Sequence, residues 1–485
     1  MYLYLENISS MLTGYAFWFI LSKIITPDLI GVSSSLISFS AIFVSVASLG
    51  IPLGAQRFLG RIFYERRIHD ARVFVNVSFV LISCGIVACS GLFFITKGWL
   101  FESVEFSLVV ATLLLVAAST ISLLFRYVII ASLRTKKLLV ISIISSVLKL
   151  VLTVVLVLVG AGVLGVTIGF AVAPILSSLW LAFYIMSILK SSDNKLPIAK
   201  YGHSLRALFA ASMVNWIPLL IDTIGSQLGT LVVLGSHGAI QAGYYFIAFQ
   251  ISNGISAIIW ALESATFPAL STMDKGRNLF LWRVVKIGLI ILSPVSFAVF
   301  FYARDIMGLF GNSYVQGFYA LQILLLSVLP TTLMAGLGIL LYSYGNYKGV
   351  LAIGLATSIP RVLLYFVFVP WHSGGGAALS YTIGSLTGFV VSVIISRTMG
   401  IVILWRSVAL IAIIPACVAF LSSLFIIHFV AGLVVSIFVS YLLLLKLRLI
   451  DRSDIEGSLE ALPSNIAKPL ISIISRIGRI LNRNY

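Results

Sequence analysis

Fourteen apolar runs divide this chain, and its cations gather in alternate gaps between them. The runs fall at 3–25, 33–56, 73–96, 106–132, 138–160, 164–189 and 206–234, then at 240–268, 281–303, 318–342, 349–370, 375–396, 405–428 and 431–450. A helix needs about 20 apolar residues to cross roughly 30 Å of hydrocarbon, and every run is that long. With the N-terminus in the cytoplasm, Arg57, Arg61, Arg66, Arg67 and Arg72 fall in the first inner connection, and Arg134, Lys136 and Lys137 in the second. Continued to the end, this places 26 of the 32 Lys and Arg inside, whereas outer connections carry Lys23, Lys97 and Arg304. Cytoplasmic loops collect Lys and Arg. The expectation is an all-α, multi-pass protein of the cell membrane with both termini in the cytoplasm.

Composition agrees. Sixty per cent hydrophobic residues, 10% charged residues and a mean hydropathy of +1.13 exclude a soluble domain of this length. A net charge of +17 would suggest nucleic acid in a soluble chain. Here the orientation bias accounts for most of it, so no nucleic-acid partner is expected. Cys84, Cys89 and Cys417 lie inside apolar runs without metal spacing. No GxxxxGK[ST] loop, HExxH or paired-Cys motif occurs, so neither cofactor nor metal is expected. Outer connections are short; the longest, 303–317, has room for a turn or short helix and none for a catalytic domain. A transporter, not an enzyme, is the expectation.

Short signals recur in the two halves. Pro27-Asp28-Leu29-Ile30-Gly31 precedes a run ending near Arg57, and Ala239-Ile240-Gln241-Ala242-Gly243 precedes one ending at Pro268. Lys136 is followed by Lys149 at +13 and then Gly162; Lys348 is followed by Arg361 at +13 and then Gly374. Six runs separate each pair, and an even number of crossings preserves direction, so the repeat is parallel.

Three cations fall inside the runs: Arg126, Lys149 and Arg361. Lys149 is twelfth in a run of 23 and Arg361 thirteenth in one of 22, which puts both near the bilayer midplane. A cation there costs about 2.5–3.5 kcal/mol on insertion scales and usually faces a wet cavity or a partner. The two occupy matching repeat positions, so each half would offer one cation to a central cleft that receives an anionic headgroup. Arg126 and Arg57 join them as headgroup candidates, although both lie near enough to the inner surface to snorkel. The competing reading is ion pairing. Asp222 and Glu263 are the deep acids, fit for a salt bridge or for ion coupling, and Glu6 lies near the inner surface. Asn215, Gln227, Gln250 and Asn253 are candidate sugar contacts or interhelical glue. In the tail, Ile466, Leu470, Ile473, Ile477 and Leu481 form one stripe opposite Lys468, Arg476, Arg479 and Arg483, as in an amphipathic helix on an anionic leaflet.

Ser48-Leu49-Gly50-Ile51-Pro52-Leu53-Gly54-Ala55-Gln56-Arg57, Ala269-Leu270-Ser271 after Pro268, and Tyr344-Gly345-Asn346-Tyr347-Lys348 followed by Gly374–Ala378 resemble the polysaccharide-biosynthesis flippases. These belong to the multidrug/oligosaccharidyl-lipid/polysaccharide exporter superfamily. The resemblance implies a V-shaped pair of six-helix lobes plus two helices, with a cavity opening alternately to either side. Its members move lipid-linked oligosaccharides across the membrane, and Arg57 matches the Arg that follows the span-2 Gly motif. The expected organisation is an N-lobe at 1–190, a linker at 191–205 and a C-lobe at 206–400, then two further spans at 401–450 and a cytoplasmic tail at 451–485. The expected partners are a lipid-linked glycan substrate, membrane lipids, and a glycosyltransferase or polymerase. A cation-coupled multidrug exporter and an intramembrane glycan polymerase are the alternatives.

Overall fold

The computed structural model describes residues 2–100, 105–189, 202–273, 276–401, 403–425 and 428–449; the expected amphipathic tail helix lies outside them. Among these residues the secondary structure is helical throughout, with no strand. The first half comprises α1 (Tyr2–Ile24), α2 (Pro27–Ser48), α3 (Ile51–Tyr64), α4 (Ile68–Leu100), α5 (Phe106–Ala131), α6 (Thr135–Leu158) and α7 (Gly162–Leu189). Then follow α8 (Gly202–Thr272), α9 (Arg277–Phe301), α10 (Ala303–Phe310), a 3-10 turn (Asn312–Gly317), α11 (Phe318–Leu325) and α12 (Val328–Ser343). The last are α13 (Tyr347–Thr398), α14 (Trp405–Phe425) and α15 (Phe429–Lys446). Away from their ends and prolines, helices pair backbone N–H and C=O groups within the segment, as hydrocarbon requires.

Ten described helices are long and apolar enough to cross a membrane, or eleven if the pair Asn312–Leu325 and Val328–Ser343, bent by 40°, is one span. The protein is therefore an all-α, many-span membrane protein. Two of the ten are interrupted, α8 at Gly238 (φ 80°, ψ 179°) and α13 at Ser373 (φ 50°, ψ −130°). Both breaks fall in connections that the apolar pattern leaves between its runs.

The run expected at 33–56 is two elements. α2 stops at Ser48, and Leu49 (φ 49°) and Gly50 (φ 66°) turn the chain in left-handed conformation before α3 begins. Pro52 makes the split physical: it has no N–H to give residue 48, and its ring would strike that carbonyl if the helix continued. α3 buries Ile51, Ala55, Leu59 and Ile62 in a cluster with Ala71, Phe74 and Leu124, while Arg57, Arg61 and Tyr64 stay exposed. At its end Arg61 donates to Glu65 at 2.7 Å, and Arg67 bridges Glu65 and Asp70 at 2.8 and 3.3 Å. The Arg61 hydrogen bond, ahead of the nearby charges, holds the Glu65 carboxyl below its ordinary pKa. The run at 318–342 is likewise divided, into α11 and α12, and Pro330 in the first turn of α12 leaves the Leu326 carbonyl without its helical donor.

The chain forms two compact units, Met1–Phe246 with Tyr365–Gly374, and Ile247–Leu364 with Gly375–Tyr485. Inside the first, α2 and α8 cross with almost no side chain between them. A Cβ on Gly31 would strike the Ala239 carbonyl, and one on Gly243 would strike the Pro27 carbonyl. The two contacts interchange under a shift of 212 residues, which carries Pro27 to Ala239 and Gly31 to Gly243. A reciprocal contact of this kind is the signature of a two-fold relation between the segments.

Gly31→Ala is expected to cost about 1–3 kcal/mol by overpacking backbone against backbone. Gly14→Ala, where nothing lies within 4 Å, should cost nothing. Thermal unfolding of the two variants in detergent provides the comparison.

Candidate functional site

Lys149 lies on the fourth turn of α6 and points into aromatic rings. Its Nζ is 4.9 Å from the Phe17 centroid on α1 and 4.6 Å from the Phe170 centroid on α7. Phe17 packs edge-on against Trp18 and Phe170, and Trp18 against Phe246. Close helix packing makes the cage: Gly169, four residues after Gly165, leaves no Cβ to collide with Thr153 of α6. Thr153 donates to the Lys149 carbonyl at 2.7 Å. Among the described residues no carboxylate pairs with Lys149.

Arg361, in the second unit, is held by the same kind of contact. It is 2% exposed, and its Cζ lies 3.8 Å from the Tyr381 ring centroid. Nη2 donates to Ser385 Oγ at 3.1 Å, and that hydroxyl donates onward to the Tyr381 carbonyl at 2.9 Å. Nε has no hydrogen-bond partner, and among the described residues no carboxylate pairs with the guanidinium. Gly384 and Gly388, again four apart, let the two segments of α13 close on Arg361 and Thr357. In each unit, then, a cation in the interior of a helix rests on an aromatic ring carried by the next helical segment, 21 residues on for Lys149 and 20 for Arg361. A cation–π contact stabilises by about 0.5–2 kcal/mol, enough to offset much of the insertion cost without neutralising the charge.

Arg126 is held differently. Its Nη2 donates to Glu6 Oε2 at 2.6 Å and to Asn7 Oδ1 at 3.0 Å, while Ser142 donates to Glu6 Oε1 at 3.0 Å. The carboxylate side chain is 2% exposed and the guanidinium 35%. This pair borders a cavity of about 190 Å³ among α1, α5, α6 and α7. A larger cavity of about 420 Å³ opens at the α2–α3 break, where Ser48, Gly50, Tyr127, Thr223 and Phe170 contribute to its wall. Phe170 thus touches both this space and Lys149.

Arg57 is exposed on α3 and Asp222 exposed on α8; Gln227, Gln250 and Asn253 are partly buried. The side chains of Asn215 and Glu263 lie outside the described residues. Sequence reasoning missed the aromatic partners and the pairing of Glu6 with Arg126. The usable signals were the two glycine pairs at four-residue spacing and an aromatic residue 20 or 21 positions after each deep cation.

Residues 20–317 match the family model described as polysaccharide biosynthesis protein. No curated protein matches the sequence. Among solved structures, the fold is similar to lipid II flippase MurJ in an inward closed conformation: TM-score 0.66, 13% identity, 88% of this chain and 97% of that one. It is also similar to a multidrug resistance MATE family transporter of the MOP superfamily. The inward-facing form gives a TM-score of 0.61 at 18% identity, over 80% of this chain and 94% of that one. The outward-facing form gives 0.59 at 17% identity, over 82% and 94%.

The unequal exposure of Glu6 and Arg126 predicts unequal mutants. Arg126→Leu strands a carboxylate and should cost about 3–5 kcal/mol near neutral pH. Glu6→Gln should cost less, since Arg126 can turn toward the headgroups. Thermal unfolding of the two variants in nanodiscs measures both.

Proposed function

Because the chain belongs to the polysaccharide biosynthesis protein family, we propose that it is an alternating-access flippase. Its cargo is an oligosaccharide linked to a polyprenyl or dolichyl phosphate or pyrophosphate, carried from the cytoplasmic to the outer leaflet. The reading includes fourteen crossings, six and six plus two, with both termini in the cytoplasm of a plasma-membrane protein. The fold by itself does not choose the cargo, because a lipid II flippase and multidrug transporters share it.

The observation that carries the choice is the state of the two mid-span cations. A cation locked to a buried carboxylate would have to break a pair worth about 3–5 kcal/mol before meeting cargo. A cation resting on an aromatic face gives up about 0.5–2 kcal/mol, and a charge-assisted hydrogen bond to phosphate returns about 1.5–3 kcal/mol. Lys149 and Arg361 are in the second condition, with the Arg361 Nε still without an acceptor. They are held, charged and exchangeable, as transient capture of a phosphate demands. The sugars and phosphate need this help, because neither crosses hydrocarbon unaided; the lipid tail stays in the bilayer throughout. A cationic drug would instead favour deep acids, which is why the multidrug alternative ranks second.

Lys149→Ala combined with Arg361→Ala is expected to abolish translocation while the protein still inserts and stays monodisperse. Proteoliposomes loaded with a labelled lipid-linked oligosaccharide, probed by a membrane-impermeant glycan-modifying reagent, measure this directly. Full activity in the double variant removes the site assignment. Elongation of the glycan without relocation would favour a polymerase.

A further inference from the structure

We infer that Arg134, Lys137 and Tyr184 form the headgroup site of a resident anionic phospholipid, whose acyl chain lies along the exposed face of α6. The lipid is a fixture of the surrounding leaflet, distinct from any cargo.

The chain turns from α5 into α6 through Ser132-Leu133-Arg134-Thr135-Lys136-Lys137, and residues 106–192 contain no Asp or Glu. Arg134, Lys136 and Lys137 are all exposed, and among the described residues no carboxylate pairs with any of them. The turn between α3 and α4 is the contrast, because there Glu65 and Asp70 take up Arg61 and Arg67. Two of the unpaired cations converge on one ring of α7. Lys137 Nζ stands 4.2 Å from the Tyr184 centroid and Arg134 Cζ 5.9 Å from it. The charges therefore lie within about 10 Å of each other, a Debye length at 0.1 M salt, and repel. Arg134 donates one N–H to the Tyr184 hydroxyl at 3.4 Å, a long contact that leaves its other donors for a ligand. A phosphate between the guanidinium and the ammonium would turn that repulsion into two charge-assisted hydrogen bonds.

The surroundings choose a lipid over a free anion. Leu133, beside Arg134, is 86% exposed, and Phe183, beside Tyr184, is 73% exposed. Onward from Lys137, α6 presents Val140, Ile144, Val147 and Val151 at alternating three- and four-residue steps, each 39–51% exposed. This apolar stripe, with a cation at its head, runs for about 21 Å at 1.5 Å per residue, longer than the roughly 15 Å of hydrocarbon in one leaflet. An acyl chain follows the stripe while its phosphate stays at Lys137. Charge then chooses the headgroup. A choline head would bring a third cation to two that already repel, and the Tyr184 ring that would attract it is already engaged. An anionic head brings the missing charge.

Native mass spectrometry of the full-length protein, equilibrated in detergent with equal amounts of phosphatidylglycerol and phosphatidylcholine, counts the lipid retained. The wild type is expected to keep phosphatidylglycerol in preference. Arg134→Gln combined with Lys137→Gln should lower phosphatidylglycerol retention about tenfold and leave phosphatidylcholine retention unchanged. Arg61→Gln combined with Arg67→Gln removes the same two charges from a turn that neutralises itself, and should retain lipid as the wild type does. Equal phosphatidylglycerol retention by the two double variants, or no preference in the wild type, overturns the inference. So does displacement of the lipid by inorganic phosphate beyond that caused by chloride at equal ionic strength, which would assign the cations to a free anion. Thermal unfolding gives an independent reading: phosphatidylglycerol should raise the wild-type midpoint and leave that of the Arg134/Lys137 variant in place. An equal rise in both overturns the site.

Discussion

A charge in hydrocarbon must be solvated by something the protein supplies, and the rest of this structure is arranged around how three cations meet that demand. Arg126 takes a carboxylate, with which it is nearly neutral as a pair. Lys149 takes two phenyl faces, and Arg361 takes a tyrosine face and one hydroxyl. These solutions differ in reversibility more than in strength. Separating a carboxylate pair leaves a second buried charge behind, whereas lifting a cation from a ring leaves an apolar surface that tolerates the loss. The first is a joint that is costly to open, and the second leaves the cation able to change partners.

Small residues make these arrangements possible. Aromatic rings reach a cation inside a helix bundle when the helices carrying them come close, and Gly165, Gly169, Gly384 and Gly388 remove the Cβ atoms that would hold the helices apart. In lipid, where apolar burial gives no preference for a neighbouring helix over a lipid tail, such close backbone approach is a main source of association. The same residues that stabilise the helix pairs therefore also set the electrostatics of Lys149 and Arg361. Packing and site are one feature.

The membrane class, the helical content and the interruptions near Gly238 and Ser373 were legible because a membrane span is encoded by composition over about 20 residues. The places of Lys149 and Arg361 well inside their helices followed from counting along the apolar runs. The break between α2 and α3 did not, although Gly50 and Pro52 were in plain view: hydropathy is blind to backbone dihedrals, and 33–56 stays apolar straight through the turn. Partner choice was also out of reach. Arg126 meets Glu6 across 120 residues of sequence, and nothing in a periodic pattern selects that acid over Asp222 or Glu263. Phe17, Phe170 and Tyr381 were hidden by abundance, among 32 Phe and 19 Tyr in an apolar chain.

The crossing of α2 and α8 bears on ancestry. Gly31 meets Ala239 and Gly243 meets Pro27, so each sequence segment plays both parts in one contact. A polypeptide of half this length, associating with a copy of itself, would make that contact twice from a single pair of residues. Fusing two such copies end to end would keep the geometry and free each glycine to mutate alone. Glycine stands at both positions here, and at both the facing carbonyl leaves no room for a Cβ.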